Sequence, residues 1–124
     1  MSESYLLALD QGTSSSRAVL VSSNGESVAS AQVPLAIHYP DDGWVEQDAS
    51  AIWQSQLEAM ALLEQRLSPG QRAAVRACGI TNQRETTTLW RRSTGEPFGP
   101  SLVWQDRRTA SICGDWKRQA AAEG

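Results

Sequence analysis

The first third of the chain alternates short apolar runs with polar turns, a pattern that predicts strands. Residues 5–9 and 18–21 are continuous apolar runs of the kind found in central strands covered on both faces. Residues 10–16 between them are too few for a crossover helix, so we expect the two strands to pair antiparallel. The Asn-Gly dipeptide that follows signals a second tight turn into a strand over residues 27–35. The sequence therefore predicts an antiparallel meander of three strands.

The middle of the chain changes to helical spacing. Asp48 is placed to cap a helix, and Ser68, Pro69 and Gly70 end it. The apolar positions of this helix recur at steps of three and four, at Trp53, Leu57, Met60, Leu63 and Leu67. After such a crossover, a later strand can pair in parallel with an earlier one, which predicts an α/β protein with a mixed sheet. The remaining predicted elements are strands over residues 75–80, 86–90 and 102–104 and a helix over residues 109–122.

Length and charge narrow the class of protein. The 124 residues allow one modest domain or part of a larger one. The last predicted helix carries an apolar stripe with no later element to cover it, so we expect an N-terminal piece of a longer protein. The net charge is −3, and residues 1–60 hold eight acids and one base. The ten bases of the remainder lie among six acids without a continuous stripe, which argues against a nucleic-acid-binding surface.

The start of the chain lacks the basic residues and the long apolar run of a signal peptide, and no segment is long enough to span a bilayer. Cys78 and Cys113 lie in apolar contexts without the spacing of a metal or redox motif. We therefore expect both to be buried free thiols in a reducing compartment, the cytoplasm.

Three polar clusters interrupt the apolar pattern, and the first lies in the turn after the first strand. In DQGTSSSR, the glycine lets the backbone approach an anion, and the hydroxyls and amides that follow can donate to phosphate oxygens. The aspartate can hold Mg²⁺ directly or through water, and the arginine can add charge against the phosphates. The alternative is an exposed hairpin turn, which uses the same residue types. The candidate nucleotide-binding residues are Asp10, Gly12, Thr13, Ser14, Ser15 and Arg17, with the hydroxyl of Ser16 beside them.

The second cluster is TNQRET, which follows the predicted strand over residues 75–80. Arg84 offers forked donors and Glu85 offers two acceptor oxygens, so side by side they can grip neighbouring hydroxyls of a polyol. The alternative is a surface salt bridge at a strand end.

The third cluster is VWQDRRT, in which an indole ends an apolar run. Trp104 can pack flat on the carbon skeleton of a polyol while polar neighbours bind its hydroxyls. The alternative is an ordinary core tryptophan followed by a helix start. Of the other tryptophans, Trp53 and Trp116 lie on helical stripes and are the leading candidates for the core.

The chain carries, in this order, the motifs LALDQGTSSSRAVL, GWVEQD, GITNQRETTTLW and VWQDRRT, which together cover nearly its whole length. They resemble the N-terminal part of the glycerol kinases within the FGGY carbohydrate kinase family. The resemblance implies a ribonuclease H-like (actin-like ATPase) fold. Residues 1–124 would form the N-terminal part of the first kinase domain, and the second domain would be absent from this chain.

The resemblance also implies an activity, the ATP-dependent phosphorylation of glycerol to glycerol 3-phosphate. It favours glycerol over a pentose, because related xylulose kinases carry an SGQMHG-like stretch where this chain has TNQRET. The segment over residues 43–48 receives no role beyond entry into the helix. The implied site residues are Asp10 for Mg²⁺, Thr13, Ser14 and Arg17 for the phosphates of ATP, and Arg84, Glu85 and Trp104 for glycerol.

The resemblance places the family's catalytic base, an aspartate, beyond residue 124, so we expect this chain alone to be inactive. Glu85 and Asp106 are expected to pair with neighbouring arginines, which would lower the pKa of each carboxyl and weaken it as a base. The full-length protein is expected to be a cytoplasmic homo-oligomer without a nucleic-acid partner. Three alternatives stay open: a truncated pseudo-enzyme that binds a polyol or a partner without turnover, another sugar or polyol kinase of the family, and a cytoskeletal or chaperone ATPase.

Overall fold

A computed structural model describes residues 3–123 of the chain. Four of its strands form a mixed sheet, and two short strands form a separate pair. The strands are β1 (Tyr5–Gln11), β2 (Ser15–Ser22), β3 (Ser27–Pro34), β4 (Glu46–Gln47), β5 (Val75–Thr81) and β6 (Ser101–Leu102). The helices are α1 (Ala49–Arg66), α2 (Pro69–Ala73) and α3 (Ala110–Glu123). The order in the larger sheet is β3-β2-β1-β5.

The first three strands form the predicted meander. β1 pairs antiparallel with β2, and β2 pairs antiparallel with β3. The turn between β2 and β3 depends on Gly25, whose φ of 85° lies in the left-handed region that favours glycine. β5 pairs with β1 in parallel after the helical crossover, which confirms the prediction of a mixed α/β sheet.

Helix α1 covers one face of the sheet and forms the core with it. It begins where predicted, because the Asp48 carboxylate accepts hydrogen bonds from the amides of Ser50 (2.7 Å) and Ala51 (3.2 Å). It also ends where predicted, and Ser68 then caps the short helix α2. The sheet-facing residues of α1 are Ser55, Gln56, Ala59 and Leu63.

The prediction that Trp53 and Trp116 are core tryptophans is wrong, since they are 60% and 67% exposed. On α1, Ser55 shares a hydrogen bond of 2.6 Å with Ser16, and Gln56 donates to the β2 backbone at 3.1 Å. These contacts turn a polar pair toward the sheet and leave Trp53 on the outer side of the helix. On α3, almost every residue is exposed within the described part of the chain, so its stripe lacks a covering element there.

The two-stranded sheet joins segments that are far apart in sequence, because β4 precedes α1 and β6 precedes α3. β6 is shorter than the strand predicted over residues 102–104. The strand predicted over residues 86–90 is wrong. Within it, Thr87 bridges to Leu102 and Trp90 to Pro97, but each is an isolated bridge. Three consecutive threonines favour extended backbone, yet a strand needs a continuous partner, which residues 3–123 do not supply.

The sheet face opposite α1 is open in the described part of the chain, where Leu6 is 49% exposed. The expectation that β1 is covered on both faces is therefore not met within residues 3–123. The prediction of buried thiols is also wrong, since Cys78 and Cys113 are free but exposed. Cys78 lies on β5, an edge strand that extends beyond α1, and Cys113 lies on the exposed helix α3.

Candidate functional site

A cleft opens at the carboxyl ends of the parallel strands β1 and β5, the edge at which open α/β sheets bind ligands. Its volume is about 410 Å³, which is within the usual range for small-molecule sites. The structure brings the predicted residues Arg84, Glu85 and Trp104 together there, beside the first turn. The lining side chains are those of Thr13, Asn82, Gln83, Arg84, Glu85 and Trp104.

A larger groove of about 560 Å³ lies between α1 and the loop that contains Trp90. Its lining includes the exposed indoles of Trp53 and Trp90 but no ionisable side chain. It therefore offers neither charge for a phosphate nor a group for proton transfer, and the chemistry of the chain is concentrated in the smaller cleft.

Gly12 allows the first turn to close tightly. Its amide donates to the Ser15 carbonyl at 2.9 Å. A Cβ at this position would lie 2.9 Å from the same oxygen, which is closer than van der Waals contact allows. The turn is tied to the end of β3, because the amide of Leu35 donates to the Ser14 carbonyl at 2.9 Å. The glycine is therefore required by a close backbone approach, as the sequence predicted.

Three hydroxyls of this turn are accessible. Thr13 lines the cleft, and its Oγ1 accepts a hydrogen bond of 3.0 Å from the indole Nε1 of Trp104. Ser14 is exposed, and Ser15 Oγ accepts from Gln32 Nε2 at 2.8 Å. A hydroxyl that accepts one hydrogen bond keeps its proton, so Thr13 and Ser15 can still donate to an anion.

The hydroxyl of Ser16 does not belong to this group, and the expectation that it faces a phosphate is wrong. Ser16 is fully buried, where it donates to Gln11 Oε1 at 2.9 Å and contacts Ser55. Successive residues of a strand point to opposite faces, so Ser16 points to α1 whereas Ser15 and Arg17 point away from it.

Asp10 and Arg17 lie on neighbouring strands at the end of the sheet that carries the turn. They are direct partners in the register of β1 and β2, so both project from the face opposite α1. Within residues 3–123, no cluster of three or more His, Cys, Asp and Glu side chains is arranged to hold a metal ion. The lone carboxylate of Asp10 nevertheless fits Mg²⁺, which is commonly held by one or two carboxylates together with the phosphates of a substrate.

Arg84 and Glu85 occupy the loop that leaves β5, and both are exposed to the cleft. The expected pairing of Glu85 with Arg84 is not formed, since the ion pairs within residues 3–123 involve other side chains. Glu85 has a φ of 67°, a left-handed conformation that is uncommon for a residue with a long side chain. Such a conformation persists only where the surrounding contacts hold it, and it is frequent in ligand sites.

Trp104 forms a wall of the cleft and is 51% exposed, so it is not a core tryptophan. Its neighbour Val103 is 2% exposed and anchors the backbone in the interior. The indole is thereby fixed at its base by Val103 and at its Nε1 by Thr13, while part of its surface stays accessible to a ligand.

A closed ring of hydrogen bonds, which we call the amide ring, connects the first turn, β4 and the cleft loop. Gln47 Nε2 donates to the Thr13 carbonyl at 2.6 Å, and Gln83 Nε2 donates to Gln47 Oε1 at 2.9 Å. Thr86 Oγ1 donates to Gln83 Oε1 at 2.8 Å and accepts from the Trp104 amide at 3.3 Å. The hydrogen bond from the Trp104 indole to Thr13 completes the ring.

A second network, which we call the ionic cluster, consists of Trp44, Glu46, Asp106 and Arg108. The Arg108 guanidinium contacts Asp106 and Glu46, each at 2.8 Å, and lies 3.9 Å from the ring centroid of Trp44. The Asp106 carboxylate also accepts from the amide of Val45 at 2.7 Å. Asp106 and Arg108 thus join the segment after β6 to the segment before α1.

Electrostatics confirm that Asp106 is a structural anion. Hydrogen bonds from the Arg108 side chain, and then from the amides of Val45 and Arg108, hold the pKa of the Asp106 carboxyl well below its usual range. The pKa of Arg108 is raised in turn, chiefly by its hydrogen bond with Asp106. A carboxylate with a depressed pKa is a weak base, so Asp106 is unsuited to proton abstraction, as expected from the sequence.

The sequence analysis missed both networks, because it gave residues 43–48 only a role in helix entry. Successive residues of an extended segment point to opposite sides. Trp44 and Glu46 accordingly enter the ionic cluster, whereas Val45 and Gln47 are buried on the other side. The signal in the sequence was this alternation, with a glutamine at a position where an apolar residue would be expected.

None of the helices within residues 3–123 combines the length and the apolar character required to span a bilayer.

Comparison with known proteins gives the context of the cleft. The family model of the N-terminal domain of FGGY carbohydrate kinases matches residues 5–123. The chain is 57% identical over 111 residues to a glycerol kinase of Ralstonia pickettii (strain 12J), covering 88% of this chain and 22% of that protein. It is 54% identical over 120 residues to a glycerol kinase of Thermus brockianus, covering 97% and 24% respectively. The chain thus spans about a quarter of the length of these curated relatives.

The fold is similar to that of solved kinases. The crystal structure of Plasmodium falciparum glycerol kinase with ADP superposes with a TM-score of 0.79 at 26% identity, covering 92% of this chain and 23% of that one. This similarity confirms the predicted fold, since the chain forms part of a ribonuclease H-like (actin-like ATPase) domain.

Proposed function

The chain belongs to the FGGY family of carbohydrate kinases, and on that basis we propose that it is the N-terminal part of a glycerol kinase. The full-length protein would transfer the γ-phosphoryl group of ATP to a terminal hydroxyl of glycerol. The observation that carries the proposal is the convergence of a guanidinium, a carboxylate and an indole in one cleft beside the first turn.

The chemistry of the cleft suits a small polyol. Arg84 presents donors and Glu85 acceptors, and neither is engaged by the other, so both are available to hydroxyls. Hydrogen bonds to charged groups are about twice as strong as neutral ones, which suits a ligand with little apolar surface. The accessible part of Trp104 can cover the carbon atoms of the ligand.

The first turn suits the phosphates of ATP. In our proposal they lie against the hydroxyls of Thr13, Ser14 and Ser15, with Arg17 supplying positive charge at the same end of the sheet. Asp10 would hold Mg²⁺, which, when bound, neutralises charge on the transferred phosphoryl group. Thr13 would then lie between the two ligands, because it lines the cleft and belongs to the turn.

The chain by itself lacks a suitable base among its described carboxylates near the cleft. Asp106 is committed to Arg108, and Glu85 is proposed to bind the hydroxyls of glycerol. We therefore propose that the base and the remaining ATP contacts come from parts of the protein outside residues 1–124, and that this chain alone has no kinase activity. The cytoplasm is the proposed location, which the two free thiols support.

The test is a coupled assay of ADP release by the purified full-length protein and by residues 1–124, with glycerol, D-xylulose or no acceptor. We expect turnover by the full-length protein with glycerol well above the other two conditions, and none by the 124-residue chain. Equal or greater turnover with D-xylulose would contradict the proposed substrate. Glycerol-dependent turnover by the 124-residue chain would show that its own side chains suffice for catalysis.

A further inference from the structure

We infer that Gln47 is a positioning residue for the proposed reaction: it fixes the first turn and the cleft loop relative to each other through the amide ring. The inference rests on the proposed function for its effect on activity, but not for its geometry. Gln47 does not line the cleft, so it acts through Thr13 and Gln83 and not by contact with a substrate.

The Gln47 side chain is held in one orientation. It has no exposed surface, and its Nε2 donates to the carbonyls of Thr13 (2.6 Å) and Ala36 (3.3 Å) while its Oε1 accepts from Gln83 (2.9 Å). Reversing the amide would place an oxygen against two carbonyls and a nitrogen against the Gln83 donor. Since buried polar groups are costly to leave unpaired, the position of the Gln47 amide determines where both partners lie.

The ring connects the two walls of the cleft. On one side, Thr13 carries a hydroxyl of the proposed phosphate turn and also accepts from the Trp104 indole. On the other side, Gln83 directly precedes Arg84 and Glu85, the proposed glycerol ligands. The left-handed backbone of Glu85 requires support from neighbouring contacts, and the hydrogen bonds of Gln83 supply it one residue away from Arg84.

A displacement of either wall should therefore affect catalysis more than folding. Phosphoryl transfer depends on the relative placement of the acceptor hydroxyl and the phosphates, and a misplacement of about 1 Å can cost on the order of 100-fold in rate. Gln47 is the only member of the ring that binds both the turn and the cleft loop through its side chain amide.

The experiment compares Gln47→Met, which keeps the side chain length but removes every donor and acceptor, with Gln65→Met on the exposed side of α1. Both are made in the full-length protein. For Gln47→Met we expect kcat/KM for glycerol to fall roughly 10- to 100-fold, with a raised KM for glycerol and a lowered kcat per folded molecule. Gln65→Met should leave both parameters unchanged. A role in stability alone would change the folded fraction but not KM, and that result would overturn the inference.

Gln83→Met tests the same connection from the loop side, and it decides the matter if Gln47→Met does not fold. If the ring acts as a unit, the double variant should be no worse than the poorer single variant, whereas additive losses would contradict it. A readout without turnover is Trp104 fluorescence, obtained as the difference from the same protein with Trp104→Phe. Gln47→Met should change this difference spectrum. If the wild type fails to phosphorylate glycerol, the proposed function is wrong, and an unchanged spectrum is what would overturn the positioning role.

Discussion

The amide ring and the ionic cluster lie on opposite sides of the same short segment, residues 44–47, yet they are built from opposite chemistry. The ring consists of uncharged groups and adjoins the cleft. The cluster consists of charged groups and an indole, and its charges are already paired with one another. Both networks hold together segments that are far apart in sequence, but only the ring reaches the proposed ligands.

The difference shows where charge is available for function. The motif VWQDRRT is rich in charge, but Asp106 and Arg108 spend theirs on each other and on Glu46. Arg84 and Glu85 lie in a loop framed by neutral amides, where no partner within the described residues takes up their charge. We expect substitutions at the cleft to change activity with little effect on stability, and substitutions in the cluster to do the reverse.

The largest effect on activity should come from Arg84→Ala in the full-length protein. The loss of charge-assisted hydrogen bonds, each worth about 1.5–3 kcal/mol, should weaken glycerol affinity roughly 10- to 150-fold while the unfolding temperature stays near that of the wild type. Titration calorimetry with glycerol measures the affinity, and Arg92→Ala, which removes an exposed arginine away from the cleft, is the matched control. Similar affinities for the two variants would remove Arg84 from the site.

On the cluster side, Arg108→Met should lower thermal stability most. The substitution keeps the contact with Trp44 but leaves the carboxylates of Asp106 and Glu46 facing each other without a cation, which is strongly unfavourable for partly buried charges. Arg72→Met, which breaks the more exposed ion pair with Glu64, is the control and should matter little. Calorimetric unfolding compares them. An equal loss of stability in the two variants would contradict a structural role for the cluster.

The cluster should also confer a pH dependence that the cleft does not. Because the pKa of Asp106 is depressed in the folded chain, its stabilising contribution is fully present above the carboxyl pKa of the unfolded chain, about 4. It is lost as the pH falls below that value toward the lower folded pKa. Asp106→Asn should flatten the decline in unfolding free energy between about pH 4 and pH 2, as followed by denaturant titration. A variant whose stability declines as steeply as the wild type would contradict this assignment.

The smallest effect should come from Trp104→Phe. Phenylalanine retains an aromatic face for the ligand but loses the indole donor to Thr13, a single neutral hydrogen bond worth about 0.5–1.5 kcal/mol. We expect kcat/KM for glycerol to fall roughly 2- to 10-fold. Trp53→Phe, on the far side of α1, should leave the steady-state parameters unchanged. A loss of 100-fold or more at Trp104 would mean that the indole donor has a more direct part than the account allows.

The local pattern of the sequence was sufficient for most of the fold. The polar turn after β1, the Asn-Gly signal and the Asp48 cap each specify structure through neighbouring residues, and all three were predicted. The rotation of α1 was not, because it depends on hydrogen bonds from Ser55 and Gln56 to a strand about forty residues earlier in the sequence. Amphipathic spacing alone favoured a face that included Trp53.

The cleft was predictable in its ligands but not in its support. Arg84, Glu85 and Trp104 follow apolar strand-like runs, so their placement at the ends of strands could be read from the sequence. The hydrogen bond of Trp104 to Thr13 joins residues on distant segments, and the register of β4 with β6 brings Gln47 between them. Such pairings depend on tertiary structure, for which a single sequence carries no local signal. The exposure of β5 and α3 is likewise a property of the described part of the chain as a whole.

The most direct test of the central claim is a crystal structure of the full-length protein grown with glycerol and a non-hydrolysable ATP analogue. The account predicts glycerol in the cleft, with its hydroxyls bonded to Arg84 and Glu85, its carbons against Trp104, and the analogue's phosphates at the turn that contains Thr13. Glycerol bound elsewhere, with those three side chains directed away from it, would contradict the account.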